Sequence, residues 1–208
     1  MKQQPLREQA LEHHQLAPIL GVLVATLSGQ GFEVAKNSLD AAAAAHLPPF
    51  WAGWVQRLRQ ALVVAGPQGL EAEYVRLFLN PRGALCPPWE GAWQEEPRLF
   101  GPRHEGVLRW ARQLGLEPRE YLRESADHVS HELGLLGLML TGQVPEEDIA
   151  AFWQEHIASW VPSFAAKLQE QANAPFFQLL GGFLASFLEA FPVTERCGSR
   201  ASHTRAPV

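Results

Sequence analysis

The stretch FWQEHIASWVPSFAAKL, residues 152–168, decides the fold class of this chain. Its large side chains recur every three or four positions, which is the spacing of one buried face of an α-helix. The members of this stripe are Phe152, Trp153, His156, Ile157, Trp160, Val161, Phe164 and Leu168. Pro162 interrupts the stripe, so we expect a kink or two abutting helices there. The stretch therefore predicts a helical protein.

The same periodicity continues on both sides of this stretch. Pro18 suits the first turn of a helix, and Asp40 suits the cap of a short alanine-rich helix. Further apolar stripes at helical spacing cover residues 19–27, 50–62, 70–78, 107–114, 129–140 and 176–188. No segment alternates apolar and polar residues as a half-buried strand does. We therefore predict an all-α, single-domain helical bundle over residues 1–191, followed by a flexible polar tail over residues 192–208.

The composition is that of an acidic globular protein. The chain has 208 residues, of which 47% are apolar and 19% are charged, and its formal net charge is −5. Residues 71–148 carry 14 acidic and 8 basic side chains, so the negative charge is concentrated in the middle of the chain. This balance argues against a nucleic-acid partner, because phosphate binding needs a basic surface. It favours a basic partner instead.

The cysteines and the apolar segments indicate the compartment. Cys86 and Cys197 form neither a disulfide framework nor a metal-binding spacing. The polar N-terminal segment differs from a secretory signal peptide, and the apolar run over residues 19–27 is too short to span a bilayer. We therefore expect a cytosolic protein without stable membrane insertion.

Motifs of catalysis are weak in this sequence. It has no glycine-rich phosphate-binding loop and no nucleophile elbow, so we predict no bound cofactor and no enzymatic activity. The run DHVSHE, residues 127–132, leaves one alternative open, a metal-dependent enzyme. Its ligands would be Asp127, His128, His131 and Glu132. Their order differs from HExxH, and an ordinary polar helix surface explains them better.

One irregular segment interrupts the helical pattern. PRGALCPPWEGAW, residues 81–93, contains three prolines and two tryptophans. Prolines exclude the middle of a helix or of an internal strand, and long irregular loops inside a domain are usually functional or disordered. The aromatic residues speak against disorder. The segment with Trp89 and Trp93 therefore either folds back and fills the core or forms a preformed wall of a binding site.

Two stretches together resemble a known family. EYVRLFLNPRGALCPPWEGAW, residues 73–93, resembles a signature of the TorD/DmsD/NarJ family of redox-enzyme maturation chaperones. ESADHVSHELGLLGLML, residues 124–140, resembles the Glu-x-x-Asp-His helix of the same family. The likeness is greatest to DmsD-like members and covers roughly residues 18–191. Gly91-Ala92 stands where the family often has Ser-Val.

The resemblance implies an all-helical cytosolic chaperone. Such a protein binds the twin-arginine leader of the catalytic subunit of a molybdopterin oxidoreductase of the DMSO reductase type. It holds that subunit back from export until the cofactor has been inserted. The chaperone itself would be a monomer or a homodimer. A helical adaptor that binds only the mature subunit is a further alternative.

The resemblance also implies which residues contact the leader. The peptide-binding residues that match the family motifs are Tyr74, Leu77, Phe78, Pro87, Pro88, Trp89, Asp127 and His128, with Trp93 and Glu124 in a secondary role. The apolar members would hold the apolar face of a leader helix, and the carboxylates would pair with its arginines. We expect the aromatic residues to contribute most, because exposed ion pairs usually contribute only about 0–1 kcal/mol.

Overall fold

The computed structural model of the chain describes residues 13–80, 83–117 and 124–191. Within these ranges the secondary structure is helical and contains no strand, which confirms the predicted all-α class. The helices are α1 His13–Leu27, α2 Phe32–Ala44, α3 Pro49–Phe78, α4 Pro102–Gln113, α5 Val129–Thr141, α6 Glu146–Phe152, α7 Val161–Gln171 and α8 Pro175–Ala190. The predicted tail, residues 192–208, lies outside the described residues, so the domain boundaries stay a prediction.

Helix α2 begins earlier than the sequence pattern predicted. Its first residue follows Gly31, which has a φ of 92° and turns the chain away from α1. Asp40 lies inside α2 instead of capping it, and its carboxylate pairs with Lys36 and Arg59 at 3.1 and 2.7 Å. No side chain caps the first turn of α2, so the sequence carries no capping signal for the residue at which this helix begins.

Helix α3 joins two predicted stripes into one kinked helix. Gly66 has a φ of 65°, a value that glycine adopts far more readily than other residues, and Pro67 follows it. The half before the kink buries Trp51 and Leu58, and the half after it buries Leu77. The kink thus allows both halves of α3 to bury apolar side chains in the core.

The stripe at residues 152–168 divides between two helices, as expected from its proline. A π-helical turn, Trp153–Ile157, extends α6, and α7 then begins at Val161 with Pro162 in its first turn. The core forms where α7 packs on α8, α1 on α2 and α5, and α3 on α2 and α8. Within the described ranges, no helix combines the length and the apolar character needed to cross a membrane.

The segment between α3 and α4 is irregular, as predicted, but it is fixed to the bundle. We call residues 83–101 the tryptophan loop. The Glu90 N–H donates to the Asp127 carbonyl at 2.9 Å, and the Val129 N–H donates to the Pro88 carbonyl at 2.8 Å. These two bonds form an isolated antiparallel bridge to the segment that leads into α5.

Candidate functional site

A cavity of about 360 Å³ lies between the tryptophan loop and the start of α5. It is lined by Trp89, Leu99, Phe100, Glu124 and Ser125. Leu99 and Phe100 are each 53% exposed, which is unusual for two large apolar neighbours on a loop. We call this the Trp89 cavity. Its apolar walls and the Glu124 carboxyl group suit a ligand that is apolar and basic at neighbouring points.

Phe100 is held in an unusual backbone conformation at the edge of this cavity. Among the described residues other than glycine, it alone has a positive φ, 54°. Its N–H donates to Ser125 Oγ at 3.4 Å, and its ring packs edge-on against His104 at 5.2 Å. Such a conformation costs about 1–3 kcal/mol and persists where the surroundings fix it, often at functional sites. The strain therefore supports a functional role for the exposed ring.

Glu124 provides the negative charge of the Trp89 cavity. Its carboxylate oxygens lie 3.4 Å from His128 Nε2 and 3.8 Å from His131 Nε2. Burial raises the pKa of Glu124, and the nearby His131 opposes this rise. Burial also lowers the pKa of His128 to about 3, so that His128 is neutral at pH 7. Among the described residues, the ion-pair partners of Glu124 are these two histidines, and no lysine or arginine is among them.

The structure does not place Asp127 and His128 on the lining of the Trp89 cavity, because both side chains are fully buried, and their contact with a peptide stays a prediction. Asp127 Oδ2 accepts a hydrogen bond from the Gly91 N–H at 2.8 Å. His128 Nδ1 accepts from the Ser130 N–H at 3.2 Å and thereby caps α5. The His128 ring also lies edge-on to the Trp89 ring, with centroids 5.8 Å apart. Asp127 therefore stabilises the loop backbone next to the cavity, and His128 contacts the Trp89 ring that lines it.

The predicted prolines and Trp93 shape the tryptophan loop from inside. The Trp93 Nε1–H donates to the Pro87 carbonyl at 2.9 Å. The Trp93 ring packs against Trp160 and Phe164, with centroids 6.2 and 6.4 Å apart. Trp93 is therefore the residue that anchors the loop in the core. Pro88 is buried, and Trp89 is the aromatic residue of this run that lines the cavity.

The predicted residues of α3 are not part of the Trp89 cavity. Leu77 and Phe78 are 0% and 1% exposed and belong to the core, so the structure does not place them at a surface that a peptide could contact, and their role in peptide binding stays a prediction. Tyr74 lines a second cavity of about 300 Å³, beside the α1–α2 connection and the kink of α3. Its O–H donates to the Leu27 carbonyl at 3.4 Å. Burial and, to a smaller extent, Glu124 raise the pKa of Tyr74 to about 12.

A buried polar group that the sequence did not predict lies beneath the tryptophan loop. Glu90, Glu132 and His156 are each 0% exposed. One carboxylate oxygen of each glutamate and one ring nitrogen of His156 lie within 4.8 Å of one another. Arg103 Nη1 lies 3.0 Å from Glu90 Oε1, and the Trp160 Nε1–H donates to Glu132 Oε2 at 3.0 Å. We call Glu90, Glu132 and His156 the buried acid cluster.

The alternative metal site on the DHVSHE run is not assembled. In the part of the chain that the structure describes, only the buried acid cluster brings potential metal-binding side chains together, and it contains Glu132 alone of the four. His128 instead caps α5, and His131 lies against Glu124 and the Ser125 carbonyl. The positive charge that balances the buried acid cluster comes from the chain itself, through Arg103.

Replacement of His128 by alanine is expected to lower the free energy of unfolding by about 1–2 kcal/mol, because α5 loses its N-cap acceptor. His128→Asn is the matched variant, since asparagine offers a capping oxygen at the same position. We expect it to retain most of the stability. Urea denaturation at pH 7 measures both. Equal losses in the two variants would show that the ring contact with Trp89, and not the cap, is the main contribution of His128.

Comparison with known proteins shows the family of the chain. The family model described as nitrate reductase delta subunit matches residues 31–166. The Tat proofreading chaperone DmsD of Salmonella typhi is 29% identical over 115 residues, which cover 55% of this chain and 56% of that protein. The chaperone protein TorD of Shewanella loihica is 30% identical over 118 residues, which cover 53% and 55%. The chain thus matches about half the length of these relatives.

The fold also has a counterpart among solved structures. A crystal structure from Archaeoglobus fulgidus, described as that of a candidate redox enzyme maturation protein, superposes with a TM-score of 0.59. The sequence identity is 20%, and the match covers 86% of this chain and 96% of that protein. At this identity the likeness shows the fold. The family match itself includes the tryptophan loop and α5, and the chain therefore belongs to the nitrate reductase delta subunit family, as its resemblance to the TorD/DmsD/NarJ chaperones implied.

Proposed function

We propose that this protein is a cytosolic chaperone that binds the twin-arginine leader of the catalytic subunit of a molybdopterin oxidoreductase. The observation that supports this most directly is the Trp89 cavity, where exposed apolar side chains lie beside the Glu124 carboxylate. A twin-arginine leader combines basic residues with an apolar stretch. The relatives named Tat proofreading chaperone and TorD point to the same class of partner.

In this proposal the leader contacts the cavity at two points. A leader arginine pairs with Glu124, where a guanidinium and a carboxylate form two parallel hydrogen bonds. An adjacent apolar side chain packs between Trp89 and Phe100. Because the tryptophan loop is already fixed through Pro88, Gly91 and Trp93, binding requires little ordering of the chaperone.

Leader binding would keep the client subunit in the cytosol while its cofactor is inserted. This role requires an exposed recognition surface and no covalent step, so we propose no enzymatic activity. The chain would act as a monomer or a homodimer and would need no cofactor of its own. The acidic surface of the chain favours its association with a basic leader.

Trp89→Ala is expected to weaken leader binding at least about tenfold, because a buried aromatic contact at an interface contributes about 2 kcal/mol or more. Glu124→Gln should weaken it by a smaller factor and should remove the preference for arginine over lysine in the leader. Isothermal titration calorimetry with a twin-arginine leader and its twin-lysine version measures both effects. Val64→Ala is the control, since Val64 is 83% exposed and lies outside the cavity.

Two results would contradict the proposed function. A folded Trp89→Ala variant that binds the leader as tightly as the natural chain would show that the cavity is not the site. Absence of binding to any leader, together with binding to a leaderless catalytic subunit, would identify the chain as an adaptor for the mature subunit. Circular dichroism of each variant establishes that it is folded.

A further inference from the structure

The buried acid cluster lies directly beneath the residues proposed to bind the leader. Glu90 follows Trp89 in the chain and is the first residue of the 3₁₀ helix Glu90–Trp93. Glu132 is on α5, and His156 is on the π-helical turn that extends α6. The cluster is therefore the point where the tryptophan loop, α5 and this turn meet in the interior.

Glu90 has the partners of an ionised carboxylate. Arg103 Nη1 lies 3.0 Å from its Oε1, and the Ser159 hydroxyl donates to the same oxygen at 3.4 Å. The His156 ring lies with Nδ1 2.8 Å from its Oε2. Both oxygens are thus occupied by donors, one of them a guanidinium, which suits a buried negative charge.

Glu132 has a different environment. Trp160 donates to its Oε2, whereas its Oε1 is buried and receives no hydrogen bond. A buried ionised oxygen without a donor is costly. A protonated Glu132 avoids this cost, because its hydroxyl can donate, and a Glu90 carboxylate oxygen lies within 4.8 Å of a Glu132 oxygen to accept. The geometry therefore favours a proton on Glu132.

The electrostatics agree with this assignment. Burial, followed by the negative charge of Glu90, raises the pKa of Glu132 well above its usual value, and the Trp160 N–H opposes the rise only in part. The charged and titratable groups around Glu132 on the elements packed against it are Glu90, Arg103, Asp127 and His156.

We propose that Glu132 is a positioning residue, and that the proton it shares with Glu90 keeps the tryptophan loop docked and holds Trp89 at its cavity. Without this proton, two negative charges would lie side by side in the interior. Glu90 is the member carried by a loop, so its displacement would relieve the repulsion and move Trp89. The link to leader recognition rests on the proposed function, whereas loop docking itself is observable without any ligand.

The test compares the natural chain with Glu132→Gln and Glu132→Ala between pH 6 and pH 10. Glutamine retains an acceptor for Trp160 and a donor for Glu90 but cannot ionise. Docking is read from the fluorescence of Trp89, obtained by subtracting the spectrum of a Trp89→Phe variant in each background. Leader affinity at each pH is measured by calorimetry as a second readout.

The expected sign of the pH dependence follows from the raised pKa. Above pH 4.5 the unfolded chain loses the Glu132 proton while the folded chain keeps it, so the natural chain becomes less stable as the pH rises. Glu132→Gln lacks this loss, and its unfolding equilibrium constant at pH 8 should be at least about tenfold smaller than that of the natural chain. The Trp89 fluorescence of Glu132→Gln should stay constant up to pH 10. In the natural chain it should change as the pH rises, because the tryptophan loop leaves its place on the bundle. In Glu132→Ala it should have the value of the displaced loop at every pH.

Failure of this proposal is distinguishable from failure of the proposed function. If Glu132→Gln destabilises the chain and shifts the Trp89 signal at every pH as alanine does, Glu132 is ionised and the positioning role is refuted. If docking follows the expected pattern but no leader binds at any pH, the positioning role stands and the proposed function fails. If leaders bind equally well in docked and undocked states, Trp89 placement does not determine recognition, and that part of the proposal is refuted.

Discussion

Glu90→Gln is expected to lower the free energy of unfolding by about 3 kcal/mol, since removal of one partner from a buried ion pair typically costs about 3–5 kcal/mol. Glutamine has the shape of glutamate but leaves the Arg103 guanidinium without a counterion in the interior. The Arg103 side chain is 34% exposed, so water can solvate part of its charge, and we place the cost at the lower end of the range. Urea denaturation at pH 7.5 measures the loss.

Glu132→Gln is the matched control for this variant. The same chemical change is made within the same cluster, but here it replaces a neutral carboxylic acid by a neutral amide. We expect a gain of stability at pH 7.5, which increases at higher pH. Similar destabilisation by both substitutions would contradict the assignment of the charge to Glu90 and of the proton to Glu132.

The helices could be predicted because burial of one face imposes a spacing of three to four residues. The stripe from Phe152 to Leu168 and its interruption at Pro162 are found in the structure. The beginning of α2 could not be predicted, because its first turns carry no capping side chain. Two predicted stripes belong to one helix that is kinked at Gly66. The spacing of apolar residues cannot indicate whether such stripes are joined or separate.

The candidate site was predictable only in part. The prolines indicated a rigid loop, and Trp89 does line a cavity with Glu124. Asp127 and His128 were expected to line the groove because the family resemblance implied it, but the loop backbone and the first turn of α5 require acceptors, and these residues provide them. Phe100 was not predicted as a site residue, although the sequence carries a local signal for it. It forms an apolar pair with Leu99 in an irregular segment just before a helix.

The buried acid cluster had no local signal at all. Glu90 and His156 are 66 positions apart, and the contact of Glu132 with Trp160 spans 28 positions. The spacing of His156 places it on the buried stripe of residues 152–168, but Glu90 and Glu132, taken alone, each fit an exposed polar position. Their association follows from how α5 and the π-helical turn pack, which only the folded structure determines.

Gly91→Ala is expected to cost about 3 kcal/mol, at the upper end of the usual cost of overpacking. A Cβ atom at this position would overlap the carbonyl group of Arg98 and lie 2.9 Å from Asp127 Oδ2. The Arg98 carbonyl cannot easily move aside, because the Arg98 N–H donates to the Gly91 carbonyl at 3.0 Å. The Gly91 N–H is equally fixed by its hydrogen bond to Asp127. The added methyl group must therefore separate the two arms of the tryptophan loop or lift the loop from α5.

Gly53→Ala is the control, because a Cβ atom there meets nothing within 4 Å on the exposed side of α3, and alanine should stabilise a helix by about 0.5–1 kcal/mol. Urea denaturation compares the two variants, and calorimetry tests leader binding under conditions where Gly91→Ala remains folded. Loss of binding in the folded variant would show that loop docking, and not overall stability, sets the affinity. Normal stability of Gly91→Ala would show that the Arg98 carbonyl moves aside.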